Sequence, residues 1–451
     1  MIRRAQTINA ANPAENPAPD AELTMLEPDT VLAANQGGAV APLRIALLGY
    51  RSSPYSGGQG IYLRYLSRAL VALGHKVTVI SGPPYPELDD NVALVTLPSL
   101  DLYQRGLESV TLREWLRDPL ARREWWSKLS GGFIEPYTFA ERARAYLLPR
   151  LREFDIIHDN QTLADGILAL QRAGANVVTT IHHPITRDLR HALAEEPRWQ
   201  YRLLLRRWHS FLAMQGRVAR ELKNIITVSA LSKKDIIADF GVSPQVLTVL
   251  HNGVDTSVFR PLPAIPRRPY QVMVTASADV PMKGLHIVLP ALAALSARFP
   301  DVRLVVVGKK RAGGATENML KTLALTERVT FVSDLSPQQI VEYYAHSAVA
   351  VVPSLYEGFG LPAVEAMACG IPLVSSDGGA LKEVVADGGV LVPAGDITAL
   401  TEALARVLAD KALQDDLAAR GLARVKQHFC WGACARRLSA YYAEVLADAH
   451  D

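Results

Sequence analysis

Short apolar runs alternating with helix-period segments set the first constraint on this 451-residue chain. Arg44-Ile-Ala-Leu-Leu-Gly49 is an apolar run ending in glycine, the form of a strand buried on both faces. Ile61 to Leu73 follows with helical spacing and closes on Gly74, and residues 77–80 read as the next strand. Further strands are expected at 92–97, 155–158, 177–181, 225–228 and 246–250. Asn252-Gly253 is a turn signal, and Pro261, Pro263, Pro266 and Pro269 mark a semi-rigid linker. The alternation then restarts, with strands expected at 272–276, 302–307, 329–332, 349–352 and 373–375. Strand-helix-strand repetition of this kind builds parallel sheets covered on both faces by helices. The fold class is therefore α/β: two doubly wound, Rossmann-like parallel-sheet domains, residues 43–255 and 256–430, facing an interdomain cleft. Residues 431–449 read as one amphipathic helix able to pack back on the first domain.

Composition excludes other classes. Hydrophobic residues make up 49% and charged residues 21%, as in ordinary globular chains. No run of about 18 apolar residues occurs, so no membrane-spanning helix is expected. Arg3 and Arg4 have no apolar core behind them, so a secretory signal is not expected. Cys369, Cys430 and Cys434 form no disulfide framework, and a cytoplasmic protein is the natural reading. Residues 1–42, rich in Ala, Asn and Pro with net charge −3, read as a disordered tail. Net charge is +7 over 43–260 and −1 over 261–451, which favours phosphate-bearing or membrane-surface partners for the first domain.

Two segments break the strand-helix rhythm. Residues 109–152 carry nine Lys/Arg with Trp115, Trp125, Trp126 and Phe133; residues 198–220 carry six Arg, no acid, and Trp199 and Trp208. Basic aromatic helices suit a peripheral position on the inner face of a membrane. Alternatively the tryptophans pack on the sheet while the arginine stems cover its rim.

Two loops carry candidate chemistry that can be read from the residues alone. Gly57-Gly58-Gln59-Gly60 separates the first strand from the first helix, where glycine lets backbone amides approach an anion. Its spacing is not the dinucleotide-binding G-x-G-x-x-G. Pro353 to Gly370 is the most specific segment. Glu357 stands in a Gly-rich loop just past an expected strand, with Glu365 in the helix that follows. Carboxylates accept from hydroxyls and amides donate to phosphate, so this loop suits a polyol joined to an anion, as in a nucleotide sugar. Asp89-Asp90 lacks metal-binding spacing and the cysteines lack zinc spacing, so no metal or cofactor is expected.

The pair of glutamates in that loop resembles the signature of glycosyltransferase family 4, retaining nucleotide-sugar enzymes of GT-B fold. His251 to Pro261, Gly57-Gly58 and Val228 to Lys234 resemble other segments of the same family, from residue 43 to the C-terminus. The resemblance implies that Glu365 binds ribose hydroxyls. It implies that Glu357, with the amides of Gly358, Phe359, Gly360 and Leu361, holds the donor sugar and phosphate. Gly57 and Gly58 would approach the diphosphate from the other domain. Lys283 matches a phosphate-binding lysine, but Ala278 stands where the family commonly has arginine. Lys309, Lys310 and Arg311 are the available substitutes. His182 matches the active-site histidine, with His183 as the alternative. Asp159, Asn160, His183 and Arg187 are acceptor-side candidates.

The expected activity is retaining, metal-independent transfer of a hexosyl unit, from a UDP-sugar first of all, to a hydroxyl of a carbohydrate or lipid acceptor. A soluble sugar or polyol acceptor is the alternative to a membrane lipid or lipid-linked glycan. A nucleotide-sugar 2-epimerase and a non-catalytic nucleotide-sugar-binding protein are rival readings. The Glu357 loop and the 251–261 segment favour transfer over epimerisation. His182, Glu357 and Glu365 are all present, against a degenerate binder. The basic segments lack a nucleic-acid reading motif, so no nucleic-acid partner is expected.

Overall fold

The computed structural model describes residues 41–54 and 58–449. The expected tail, but for its last two positions, and the candidate Gly57 lie outside the described residues.

The first sheet contains β1 (Arg44–Gly49), β2 (Lys76–Ser81), β3 (Ala93–Thr96), β4 (Ile156–Asn160), β5 (Val177–Ile181), β6 (Ile225–Thr227) and β7 (Leu247–Val249). Their spatial order is β3-β2-β1-β4-β5-β6-β7, parallel throughout. The second sheet contains β8 (Arg268–Thr275), β9 (Arg303–Val307), β10 (Val329–Val332), β11 (Ser347–Val352), β12 (Leu373–Ser376) and β13 (Val390–Val392). It runs β10-β9-β8-β11-β12-β13, also parallel. Strand order reverses between β1 and β4 in one sheet and between β8 and β11 in the other. Loops at the carboxyl ends of such strands diverge and leave a crevice for ligands.

Alternation along β1 shows why both faces are covered. Ile45 and Leu47 point to the side of α1 (Gly58–Ala72), with Leu63, Leu66 and Leu70, whereas Ala46 and Leu48 meet Phe139, Ala143 and Leu147 across the sheet. The inserted segment forms α2 (Leu112–Arg117), α3 (Pro119–Leu129) and α4 (Glu135–Leu147). Thr111 and Glu114 make a capping box on α2, and Asp118 caps α3 ahead of Pro119. Buried Arg142 of α4 pairs with Glu124 of α3 and with Asp118. The second basic segment is α5 (Trp199–Trp208) followed by α6 (Phe211–Glu221).

Sequence reading and structure differ at the junction between the domains. Pro269 lies inside β8 rather than in the linker, at the irregular, exposed beginning of the strand where a missing amide is tolerated. Asn252-Gly253 is not a tight turn. The chain runs on to Val254, whose amide donates to Phe429 O at 2.7 Å. A Cβ on Gly253 would lie 2.6 Å from the Trp431 ring, so this glycine serves close packing. The strand β13 had no counterpart in the sequence reading; Val390-Leu-Val is too short to carry a period.

After Phe429 the chain crosses back and forms α9 (Trp431–Asp448) against the first domain. Ala435, Leu438, Tyr442 and Val445 join the core formed by β1 and α1, and Trp431 stacks on Tyr65. Tyr442, fully buried, bonds through its hydroxyl to His158 Nδ1 at 2.5 Å, while His158 Nε2 meets Thr180 Oγ1 at 2.6 Å. Burial pushes His158 down to about 3, so the ring is neutral. Tyr442→Phe keeps the packing and strands one buried ring nitrogen. Urea denaturation should show a loss of about 1–3 kcal/mol; no loss would mean that the bond contributes nothing net.

Candidate active site

The candidate residues follow the strands on which the sheet order reverses, or their immediate neighbours. Gly58 opens α1 after β1, Asn160 ends β4, and His182 follows β5. Across the cleft Lys283 comes after β8, and Glu357 comes after β11.

The loop after β11 is held from both sides. Lys283 Nζ and Ser354 Oγ donate to Glu357 Oε1 at 2.7 and 2.8 Å. Gly379 lies against the Glu357 backbone, and Gly284 against Pro353 O. From the first domain, Ser229 and Ser232 at the start of α7 (Ala230–Phe240) donate to Gly358 O at 2.7 and 3.2 Å. Phe359 turns into the core, and Gly360, at φ +100°, ends the loop where α8 (Leu361–Ala368) begins. Among the described residues, the amides of Gly358, Phe359, Gly360 and Leu361 find no protein acceptor. They form a row of donors at a helix N-terminus.

Glu365 stands on α8 beside buried Tyr344 and Cys369, its carboxyl with no hydrogen-bond partner among the described residues. Burial pushes its carboxyl up to about 8 from the ordinary 4.5. The folded protein thus keeps a proton that the unfolded chain releases, and stability falls as pH rises from about 4.5 to about 8. Glu365→Gln removes this dependence. Its thermal midpoint should exceed that of the wild type at pH 8 and approach it at pH 5; a variant no more stable at pH 8 contradicts the assignment.

On the facing domain, His182 Nε2 lies 2.8 Å from Asn160 Oδ1, and its ring meets the Tyr62 edge at a 4.8 Å centroid separation. Desolvation pushes His182 down to about 3, so the imidazole is neutral and donates through Nε2. Gln161 clamps this loop, accepting from His182 N at 2.7 Å and donating to His183 O at 2.8 Å. Gln161 and Leu163 both sit at positive φ (57° and 51°), conformations that non-glycine residues adopt only under tertiary constraint. Asp159 supplies that constraint: fully buried, it accepts from the amides of Thr162 and Leu163. Burial raises its carboxyl to about 6.

The acceptor-side candidates therefore separate. Asp159 shapes a loop and offers no free oxygen to the cleft. Asn160 holds His182, with a buried Nδ2 left unpartnered. His183 is exposed and reaches Asp188. Arg187 pairs with Asp235 and lies 4.7 Å over the Tyr356 ring of the second domain, so it bridges the domains.

Ala278 is buried, and its amide donates to Lys309 O. Of the substitute cations, Lys309 pairs with Asp334 and Lys310 with Glu317. Arg311 has no ion pair among the described residues; the nearby Asp279 carboxyl is held below its ordinary value first by the bond from Thr316 N and then, to a smaller extent, by the Arg311 charge.

The comparisons with known proteins fit this geometry. A family model described as Glycosyltransferase Family 4 matches residues 56–258, and one described as Glycosyl transferases group 1 matches residues 265–424. An MMP alpha-(1->4)-mannosyltransferase of Mycolicibacterium hassiacum is 42% identical over 90% of this chain and 99% of its own length. The chain belongs to glycosyltransferase family 4. A more distant member, a D-inositol 3-phosphate glycosyltransferase of Acidothermus cellulolyticus, is 27% identical over 92% of this chain and 94% of its own. Among solved structures, a sucrose-phosphate synthase of Thermosynechococcus elongatus aligns with TM-score 0.64 and 26% identity over 90% of this chain and all of its own, 100%. An Anabaena protein solved with UDP and glucose aligns at TM-score 0.61 and 18% identity, covering 89% of this chain and 99% of its own, and supports the GT-B fold. This family 4 glycosyltransferase presents its two domains' loops to one cleft.

Sequence reasoning had not singled out Gly284, Gly379, Ser354 or Glu383. Glu383 accepts from Ala230 N at 2.9 Å and meets His251 Nε2 at 2.7 Å, joining the resembled segments 228–234 and 251–261. A Gly-Gly pair at 378–379 was visible, but nothing in sequence says which loop it packs on.

Proposed function

We propose that this glycosyltransferase moves a hexosyl unit from a nucleotide-diphosphate sugar to a carbohydrate hydroxyl, with retention and without a required metal. The observation that carries the reading is the β11–α8 unit. Four amides and a desolvated Glu365 carboxyl, none with a protein partner among the described residues, and Glu357 follow one another within a single loop and helix, and Lys283 reaches Glu357 from the loop after β8. Ribose hydroxyls would donate to Glu365, and the diphosphate would take the amides and Lys283. Glu357 would accept from the donor sugar's hydroxyls. As the glycosidic bond to phosphate breaks, charge develops on the leaving diphosphate, and fixed donors stabilise it there. Gly58 at the start of α1 and Arg311 are assigned to the same anion, Arg311 replacing the cation absent at Ala278. Neutral His182, oriented by Asn160 and Gln161, would contact the donor sugar. Mannosyl is the first sugar to test, because the 42%-identical relative is named a mannosyltransferase.

A peripheral membrane contact is also proposed. Among the described residues no helix is long and apolar enough to cross a membrane. Yet Leu112, Trp126, Leu129, Trp199, Leu203 and Leu204 are each more than half exposed on α2, α3 and α5, with exposed Arg113 on α2. Only part of the tryptophan set packs inward: Trp208 stacks on Phe133.

The test is a screen of UDP-, GDP- and ADP-sugars, with a chelator, with and without lipid extract, and with Glu357→Ala as control. Donor turnover lost in the control supports the reading. No binding of any donor ends it. Turnover that requires the lipid fraction supports the membrane contact; lipid-independent turnover removes it.

A further inference from the structure

A cavity of about 360 Å³ opens on the first domain between α3, α4, α5 and α6, within the size range of small-molecule sites. Its apolar walls are Phe133, Phe211 and Met214, and Tyr137, Arg123 and Arg207 add polar groups. This is the part of the chain whose basic and aromatic character the donor site does not use.

Both arginines lack acidic partners among the described residues. Arg207 donates to Ser210 Oγ at 3.0 Å and Ser130 Oγ at 2.7 Å. Its guanidinium occupies the space that a Cβ on Gly132 would fill, at 2.5 Å, so that buried glycine makes room for it. Arg123 donates to Tyr137 Oη at 2.6 Å. The carboxylates next to the cavity are committed elsewhere: Glu124 to Arg142, and Glu135 to Arg51 at 2.9 Å. Two guanidinium groups whose hydrogen bonds among the described residues go to hydroxyls alone, Arg123 also lying over the Tyr137 ring at 5.5 Å, retain donors for an oxyanion, which arginine recognises through its planar fork.

The cavity also lies close to the loops of the cleft. Phe133 meets the edge of Tyr50, which directly follows β1, at a 6.3 Å centroid separation. Gln215, next to Met214 on α6, donates to Thr162 O at 3.2 Å in the loop that Asp159 organises. One layer of side chains thus separates the cavity from the loops that position His182.

We propose that this cavity binds an anionic sugar unit of the acceptor, a ring bearing a phosphate or carboxylate, with Arg207 and Arg123 on the anion and the aromatic walls against the ring. The inference rests on the glycosyl-transfer reading for its acceptor role, but its binding test does not.

Calorimetric titration of the full chain with mannose 6-phosphate, glucuronate, neutral mannose and inorganic phosphate tests it. The charged sugars should bind at least tenfold more tightly than mannose and than phosphate alone. Arg207→Gln and Arg123→Gln should each weaken them at least tenfold, whereas Arg206→Gln, outside the cavity, should not. Donor hydrolysis should be unchanged in all three variants. Equal affinity for mannose and its phosphate overturns the proposal, as does unaltered binding in the Arg207→Gln, Arg123→Gln double variant. Phosphate binding as tightly as the sugar phosphate reduces the cavity to a bare anion site and overturns it too. Cosedimentation with anionic vesicles that depends on Arg207, without sugar binding, assigns the arginines to a membrane instead. If the wild type binds charged sugars yet binds no nucleotide-sugar donor, the transfer reading fails and the cavity assignment stands.

Discussion

Glu357→Gln is expected to lower kcat/KM for transfer by about 10²–10³-fold, the loss typical of removing one fixed charge-stabilising group. The carboxylate takes bonds from both Lys283 and Ser354, so it fixes the ammonium besides its proposed contact with the donor. Gln cannot accept from both donors with a charged oxygen, and Lys283 then loses the partner that aims it. Lys283→Met should cost a similar factor. The two substitutions together should cost clearly less than the product of the single effects, because they break one shared interaction. Steady-state kinetics on the four proteins, with thermal unfolding to confirm folding, read this out. Activity of Glu357→Gln within threefold of wild type would sink the assignment.

Gly379→Ala should abolish most activity without replacing any residue assigned to substrate. Gly379 has φ +71°, a region that costs a side-chain-bearing residue about 1–2 kcal/mol. Its added Cβ would also stand 2.4 Å from Glu357 O and 2.6 Å from Glu357 N, closer than atoms can approach. The loop must move, and a displacement of about 1 Å at a positioned group can cost about 10²-fold in rate. Gly284→Ala should act alike from the other side, its Cβ meeting Pro353 O at 2.1 Å. Gly174→Ala is the control: its φ is +93°, but nothing lies within 4 Å of the new atom, so strain alone should lower stability slightly and leave kcat intact. Should Gly379→Ala and Gly174→Ala behave identically, the clamp on Glu357 has no role.

What the sequence determined by itself is what short-range periodicity and local chemistry can carry. Apolar runs of five or six residues between helix-period segments specify buried parallel strands, so two doubly wound sheets were legible from strands such as β1 and β11. The Glu357 to Glu365 segment was legible because loop, glycine and helix start adjoin in the chain, and the family membership rests on that segment among others. Tertiary structure decided which glycine presses on which backbone, and it decided that Gly253 faces Trp431 instead of making a turn. It also removed Asp159 from the cleft by placing it under the amides of Thr162 and Leu163. It separated Arg207 from every carboxylate among the described residues while giving Arg142 two. The difference is one of range: a period or a cap is set by residues three or four apart. A clash between Gly379 and Glu357, or a bond between Tyr442 and His158, exists only after strands far apart in sequence have packed side by side.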